Sequence, residues 1–294
     1  MLNHSIADSQ SNILIEIEQL VELIAKGLTQ DQYPQIHAQL YGRISTYLSV
    51  YQHNYDYSEY VEAFWFGCNQ VALFMSGCFG NDDQMSRMIN HIHHYTQLPY
   101  FKRRVSDRRY QVKANAKSIE KYAHALHKSY SRLLVIRVDF GYREDNSHLV
   151  SIDTHLQSFD KLKQQYYANP IFTHLVGHAW CIEQGQTKGY HIHAVYYFKG
   201  SEHRNDWYMA KQIGELWQRL TNDLGTYHSC NTPKEKKKYE KLETLGVGMI
   251  HRKDDVACEN AIHAVSYLAD YEKEDQYLRM KPKGRRTFGT GLNG

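Results

Sequence analysis

Two imidazoles separated by one residue occur twice in this chain, as His91-Ile92-His93 and as His191-Ile192-His193. With 18 histidines among 294 residues, chance alone supplies about one such pair, so the motif means something only through its setting. The first pair lies in MSRMINHIHHYTQ, a helical pattern in which residues two apart do not share a face, and reads as surface or helix-capping histidines. The second lies in YHIHAVYYF, which alternates as a β-strand does. On a strand, His191 and His193 point to one face about 6.5–7 Å apart and can converge on a divalent ion. Ile192 then turns to the opposite, apolar face with Ala194 and Tyr196.

A third ligand is available one strand earlier. Glu183 precedes a glycine-bounded turn, 185–189, and if the hairpin sets Glu183 opposite His191, then Glu183, Cys181, His191 and His193 share a face. A slip of one residue removes Glu183 from the group. A His-His-Glu set with open positions suits Mg²⁺ or Mn²⁺ polarising a phosphate better than a structural zinc, which closes four ligands around the ion. Further on, ENAIHAVSYLADYEKEDQ carries Tyr267 and Tyr271 four residues apart, one turn apart on a helix. A phenol of pKa about 10 is a poor nucleophile in water. Against a metal-bound phosphate it becomes usable, giving a covalent phosphotyrosine and a free sugar hydroxyl. The competing reading is ordinary packing, because the chain has 24 tyrosines and Val265 and Leu268 give this helix a core face.

These residues need a scaffold. Residues 133–140 (LLVIRVDF), 175–183 and 190–198 read as strands, the last two as an antiparallel hairpin, with a further short strand over 247–251. Helical patterns cover 154–167, which Asp153 or Thr154 can cap, and 206–224 with Met209, Ile213, Leu216, Trp217 and Leu220 on one side. A charged loop spans 233–243, and a last helix spans 256–276. The order β-α-β-β-α-β-α predicts an α+β fold, an antiparallel sheet with helices on one face, ferredoxin-like or RRM-like. Ahead of it, four apolar stripes at helical spacing between residues 11 and 95 predict a small all-α domain over 1–100.

Charge divides the chain in the same place. The first 100 residues carry three basic side chains (Lys26, Arg43, Arg87) against ten acidic ones, and the remainder carry 32 against 22. Ten of those 32 fall within 101–132, a basic linker or helix that holds only two acids. Such asymmetry separates a polyanion-facing part from one that is not, although a charge run by itself also reads as a solvated helix face. On the first reading Arg103, Arg104, Arg108, Arg109 and Lys113 would hold a duplex or hairpin stem through phosphates. The acidic 1–100 would then be protein-facing or autoregulatory. With 42% apolar residues and five prolines the chain is not disordered, collagen-like or low in complexity. Acids in place of a basic n-region, and no apolar run near eighteen residues, predict a cytoplasmic protein without membrane contact. The five scattered cysteines suggest reduced thiols and no zinc ribbon.

A strand with Arg137-x-Asp139, a strand with His-hydrophobe-His, and a later helix with Tyr-Leu-Ala follow one another in the order seen in HUH endonucleases. More narrowly, residues 131–294 resemble the inovirus gene-two type replication proteins, related to YagK/YfjJ C-terminal domains of prophages. Besides those motifs, the Trp217 helix and GRRTFGTG at 284–291 carry the resemblance; residues 1–100 have none. It implies an HUH nuclease that nicks single-stranded DNA at a rolling-circle origin, stays linked to the 5′ phosphate, and leaves a 3′ hydroxyl to a host polymerase in a bacterial cytoplasm. His191 and His193 match the metal-binding histidines, Glu183 stands where a further polar ligand is common, Tyr267 matches the nucleophile, and Tyr271 sits at the place of a second one. One position departs from the pattern: Asp270 occupies the place of the usual lysine, leaving Lys273, Arg285 or Arg286 to balance charge on the phosphate. Asp270 also fits a DNA-binding regulator on a catalytically decayed scaffold. A third possibility is a helical interaction protein joined to an unrelated histidine-metal hydrolase. Trp180, Tyr190, Tyr196 and Tyr197 are candidate surfaces for stacking bases, although alternation sends some of them into the core.

Overall fold

A computed structural model describes residues 9–71, 82–266 and 276–291, which divide between two compact units. The first comprises residues up to 109 together with 148–152 and 278–285. Its helices are α1 (Gln10–Lys26), α2 (Tyr33–Val50), α3 (Glu59–Gln70) and α4 (Asp82–Gln97). Ser9 starts α1, its hydroxyl accepting from the Asn12 N–H, and Gly27 at φ +89° ends it. The apolar stripes meet as their spacing requires: Ile17, Val21 and Ile24, Leu40 and Ile44, Val61 and Phe64, and Met88 and Ile92 are all buried.

The unit is not purely helical, as its periodicity had suggested. Strand β1 (Tyr55–Tyr57) pairs antiparallel with β7 (Met280–Pro282), more than 200 residues later in the chain. Beside this ribbon Glu18 and Arg279 form an ion pair, each side chain 4% exposed, and Ser58 donates to the second Glu18 oxygen at 3.1 Å. Two three-residue strands and one distant arginine leave no periodic trace, which is why the sequence reads as helices alone. Removing either charge strands the other in the core. Glu18→Ala and Arg279→Ala are each expected to destabilise this unit by about 3–5 kcal/mol in urea unfolding, and the double apolar replacement by less than their sum; full additivity would contradict the assignment.

Helix α5 (Pro99–Ser129) starts among residues of the first unit and ends among those of the second. The second unit then continues through β2 (Arg132–Tyr142), α6 (Ile152–Ala168), β3 (Leu175–Gly185), β4 (Gly189–Lys199), α7 (Asp206–Leu220), β5 (Gly225–Ser229), α8 (Pro233–Lys241), β6 (Gly248–His251), α9 (Asp255–Ser266) and β8 (Phe288–Gly291). The antiparallel sheet runs β5-β2-β4-β3-β8, and β6 pairs with the opening residues of β2 while β5 pairs with its last ones.

Helices cover both faces, not one. On the first, Trp217 of α7 packs against Phe140 with ring centroids 5.3 Å apart, Phe159 of α6 meets Trp180 at 4.9 Å, and the Tyr166 and Tyr196 hydroxyls bond at 3.0 Å. On the second, Leu133, Val135, Val195 and Tyr197 pack with Ile119, Ala123 and Leu126 of α5 and with Ala261, Ile262 and Val265 of α9. The reason is in the strands: both alternating sets of β2 and β4 carry large apolar residues, so each face must lose water. The charged loop expected at 233–243 is the helix α8, because Thr232 caps Glu235 N–H, proline occupies the first turn, and KEKKKYEK is rich in helix formers. Helix α6 begins at Ile152, so Asp153 and Thr154 lie in its first turn and do not cap it.

Two buried histidines tie this unit's stability to pH. Burial, with a smaller effect of neighbouring His124 on His127 and Lys163 on His178, pushes each down to about 4. Between 4 and the unfolded value near 6.5 the unfolded chain binds more protons, so stability is complete above that window and falls as pH drops through it, by up to ~3 kcal/mol per group. Denaturant midpoints of the full chain should decline from pH 6.5 to 4, and less steeply in His178→Gln; an unchanged slope would refute the link.

Candidate metal centre

The hairpin of β3 and β4 closes with Gly185 opposite Gly189, the latter at φ +59°, a left-handed conformation that glycine adopts without strain. Counting back from that turn sets Glu183 opposite His191 and Cys181 opposite His193. On the other flank of β4, Asp139 of β2 stands opposite His193. Three neighbouring strands thus bring Glu183, His191, His193 and Asp139 to one face.

Glu183, His191 and His193 are buried and their ligand atoms lie within 4.8 Å of one another, a group able to hold a metal ion. Glu183 Oε2 is 3.3 Å from His191 Nε2 and 3.1 Å from His193 Nε2. Donors around an ion bound at 2.0–2.2 Å lie roughly 3–3.5 Å apart, so these separations fit a shared ion. The remaining nitrogens are oriented from behind. His191 Nδ1 lies 3.0 Å from the Gly189 carbonyl, which assigns the proton to Nδ1 and turns the Nε2 lone pair toward Glu183. His191 Nε2 is buried and makes no hydrogen bond, as a nitrogen kept for an ion should. His193 Nδ1 stands 2.7 Å from Asp139 Oδ1, the carboxylate-histidine arrangement that fixes ring orientation and strengthens a ligand.

Electrostatics follow this arrangement. Burial disfavours the charged His193 ring, but its contacts with Asp139 and Glu183 outweigh that penalty and hold its pKa above the usual imidazole value. Burial likewise works against ionised Asp139, yet His193, Arg137 and His228 hold its carboxyl far below the ordinary range. Asp139 therefore stays an anion behind His193. Arg137 Nε lies 3.5 Å from Asp139 Oδ1, and its Nη1 donates to the Ala264 carbonyl at 3.2 Å. A continuous polar chain thus joins Glu183, His193, Asp139 and Arg137 to the last described turn of α9.

Of the expected site residues, the three ligands come together as their spacing required. Tyr267, Tyr271, Asp270 and Lys273 lie outside the described residues. Three of the basic positions have acidic partners. Arg104 forks onto both oxygens of Glu62, Arg108 pairs with Glu59 at 2.9 Å, and Arg103 reaches Asp107 at 3.7 Å, all within the first unit. Arg109 and Arg285 also belong to that unit, Lys113 and Arg286 to the second. Two acids of the first 100 residues therefore neutralise part of the basic run. The four aromatic candidates for base stacking are corrected to core: Tyr190 stacks on His155, Tyr196 bonds Tyr166, Trp180 meets Phe159, and Tyr197 is fully buried beside Tyr122 and His127. His93 is the capping histidine it resembled, its Nδ1 2.9 Å from the Ile24 carbonyl at the end of α1. The parts that sequence reasoning left without a role are Asp139 and Arg137, and a signal was present, since two charges on the same face of an otherwise apolar strand need a partner.

No helix among the described residues is long and apolar enough to cross a membrane. Cys68, Cys181, Cys230 and Cys258 are free thiols.

His191→Ala should lower Mn²⁺ affinity in calorimetric titration by more than 100-fold, and Asp139→Asn by about 10–100-fold, the usual cost of losing an outer-shell carboxylate. Wild-type affinity in His191→Ala would exclude this cluster as the centre.

A protein-family model described as the YagK/YfjJ C-terminal domain matches residues 96–291, two thirds of the sequence. No curated protein and no solved structure matches.

Proposed function

The chain belongs to the YagK/YfjJ C-terminal domain family, and on that premise we propose that it is an HUH-type replication initiation protein. It nicks single-stranded DNA at an origin by metal-assisted tyrosine attack, in the rolling-circle manner of a phage or prophage, within a bacterial cytoplasm. The sheet with its histidine pair on β4 is read as an elaborated ferredoxin-like sandwich, with extra strands β5 and β8 at its two edges.

The observation that carries the proposal is the tether between the centre and the end of α9. Arg137 holds the Ala264 carbonyl, three residues before Tyr267 in sequence, and the same guanidinium lies against the Asp139 that orients His193. His191, His193 and Glu183 would hold Mg²⁺ or Mn²⁺, which when bound polarises the scissile phosphate. Tyr267 oxygen forms a bond to phosphorus and loses its proton; the bond from phosphorus to the 3′ oxygen breaks, and that oxygen takes up a proton. The products are a 5′-phosphotyrosine link and a 3′ hydroxyl for a host polymerase. Tyr271 is the candidate for a second transfer, and Lys273, Arg285 or Arg286 for charge balance at the phosphate. The duplex or hairpin stem would be held through phosphates by the basic positions Arg103, Arg104, Arg108, Arg109 and Lys113.

One feature favours a second reading. Asp270 stands where the resembling proteins carry lysine, which suits a regulator that binds DNA without cleaving it. The two readings part in a single assay. Protein mixed with origin-containing single-stranded DNA and Mn²⁺ should give a denaturation-resistant adduct that disappears in Tyr267→Phe and in His191→Ala. An adduct that survives Tyr267→Phe but not Tyr271→Phe would move the nucleophile, and salt-sensitive binding without any adduct would establish the regulator.

A further inference from the structure

The core that α5 and α9 build against the sheet stops at Val135 of β2 and Val195 of β4. Farther along the same face β2 carries Arg137, Asp139 and Gly141, and β4 carries His193 and His191. The edge strand β5 extends this polar face. His228 stands opposite Asp139 and Thr226 opposite Gly141, and both are exposed. Four strands thus set His228, Asp139, His193 and Cys181 in one row across the sheet. The placement of His228 is fixed from behind. Tyr227 turns to the opposite face and lies so close over Gly214 of α7 that a Cβ there would collide with its ring. At the two ends of β5, Gly225 N–H donates to the Thr221 hydroxyl at 3.0 Å and Cys230 N–H to the Arg137 carbonyl at 3.1 Å. A slip of one residue would put a tyrosine where the imidazole is.

Two features of this shelf serve no packing purpose. A glycine inside a strand costs stability and marks a place where something approaches closely. Among the described residues a Cβ at Gly141 would meet only His191 Cβ, at 3.8 Å, so the floor beside the metal ligands is open. Among the same residues no hydrogen bond, ion pair or ring contact engages the His228 ring, although the charges of Asp139 on β2 and Glu235 on α8 are within its reach. An edge-strand histidine is ordinarily only solvated. This one is the second imidazole beside a single carboxylate, two strands and roughly 10 Å of backbone spacing from His193, with an unfilled floor between.

We propose that the shelf of Gly141, Thr226 and His228 seats the nucleotide on the 5′ side of the nick, and that His228 is a further catalytic residue, giving a proton to the departing 3′ oxygen. The inference rests on the nicking reaction proposed above. As the tyrosine oxygen bonds to phosphorus and the bond from phosphorus to the 3′ oxygen breaks, the His228 ring N–H passes its proton to that oxygen. The tyrosine proton goes to water, and water restores the ring. Glu183, His191 and His193, committed to the ion, cannot supply this proton.

The test uses the full chain and Mn²⁺ with the origin-containing oligonucleotide of the adduct assay. It is synthesised with either oxygen or sulfur at the bridging 3′ position of the nick mapped with wild type. A departing thiolate needs no proton, so the two linkages separate proton donation from positioning. With oxygen, His228→Ala and His228→Gln should form adduct at least about 100-fold more slowly than wild type, and with sulfur within about threefold of it. His191→Ala should fail on both, and His228→Ala should keep its Mn²⁺ affinity in calorimetric titration. Wild-type rates on oxygen, an equal loss on both linkages, or weakened Mn²⁺ binding in His228→Ala would each overturn the role of His228 while leaving the nicking reaction standing. Absence of any adduct from wild type would instead remove the nicking reaction, and this inference with it.

Discussion

The pairing register of the β3–β4 hairpin is the constraint on which the site depends. Side chains on a strand alternate, so only a pairing with Glu183 opposite His191 leaves the carboxylate on the histidine face; one residue of slip exchanges it for Ile182 or Gln184. Two things hold that register. Gly189 closes a short turn at a φ that other residues resist, and the opposite face is packed by Ile182, Ile192, Trp180 and Tyr196, large buried groups that a slip would turn around. The apolar face therefore does structural work for the polar one.

Burying two histidines and two carboxylates is costly unless each is matched. Here they match one another in a line: Glu183 to both rings, His193 to Asp139, Asp139 to Arg137, and Arg137 to the backbone of α9. The line begins on the edge side of the sheet and ends on a helix that also packs Val265 into the core. A change at either end is felt through charge and not only through packing, which is how a sheet-borne centre and a helix can be held in one geometry.

Legibility varied with the range of the interaction. The apolar stripes of the first unit, the strand character of LLVIRVDF, the hairpin and the ligand trio all follow from spacings of two to ten residues, and among the described residues the structure contains the strands, the hairpin, the trio and most of the stripe positions. The β1–β7 ribbon and the Glu18–Arg279 pair join residues more than 200 apart and leave no local trace. The helix α8 was hidden because a run of lysines resembles a loop when its Thr232 cap is overlooked. The partners of Arg104 and Arg108 could not be read locally, because Glu62 and Glu59 lie more than 40 residues earlier on another helix.

The sequence by itself determined which residues can do chemistry together on one face, because a strand's alternation and a glycine-closed turn are local and leave little choice. Only the tertiary structure decided what surrounds them. The four aromatic side chains that alternation left between surface and core became core, because helices from both directions exclude water from the two sheet faces. Asp139 became the residue behind His193, 54 residues later in sequence, because β2 lies beside β4 in the sheet order. Strand order and helix placement come from the burial of apolar surface summed over the whole unit, a quantity that no short window of residues contains.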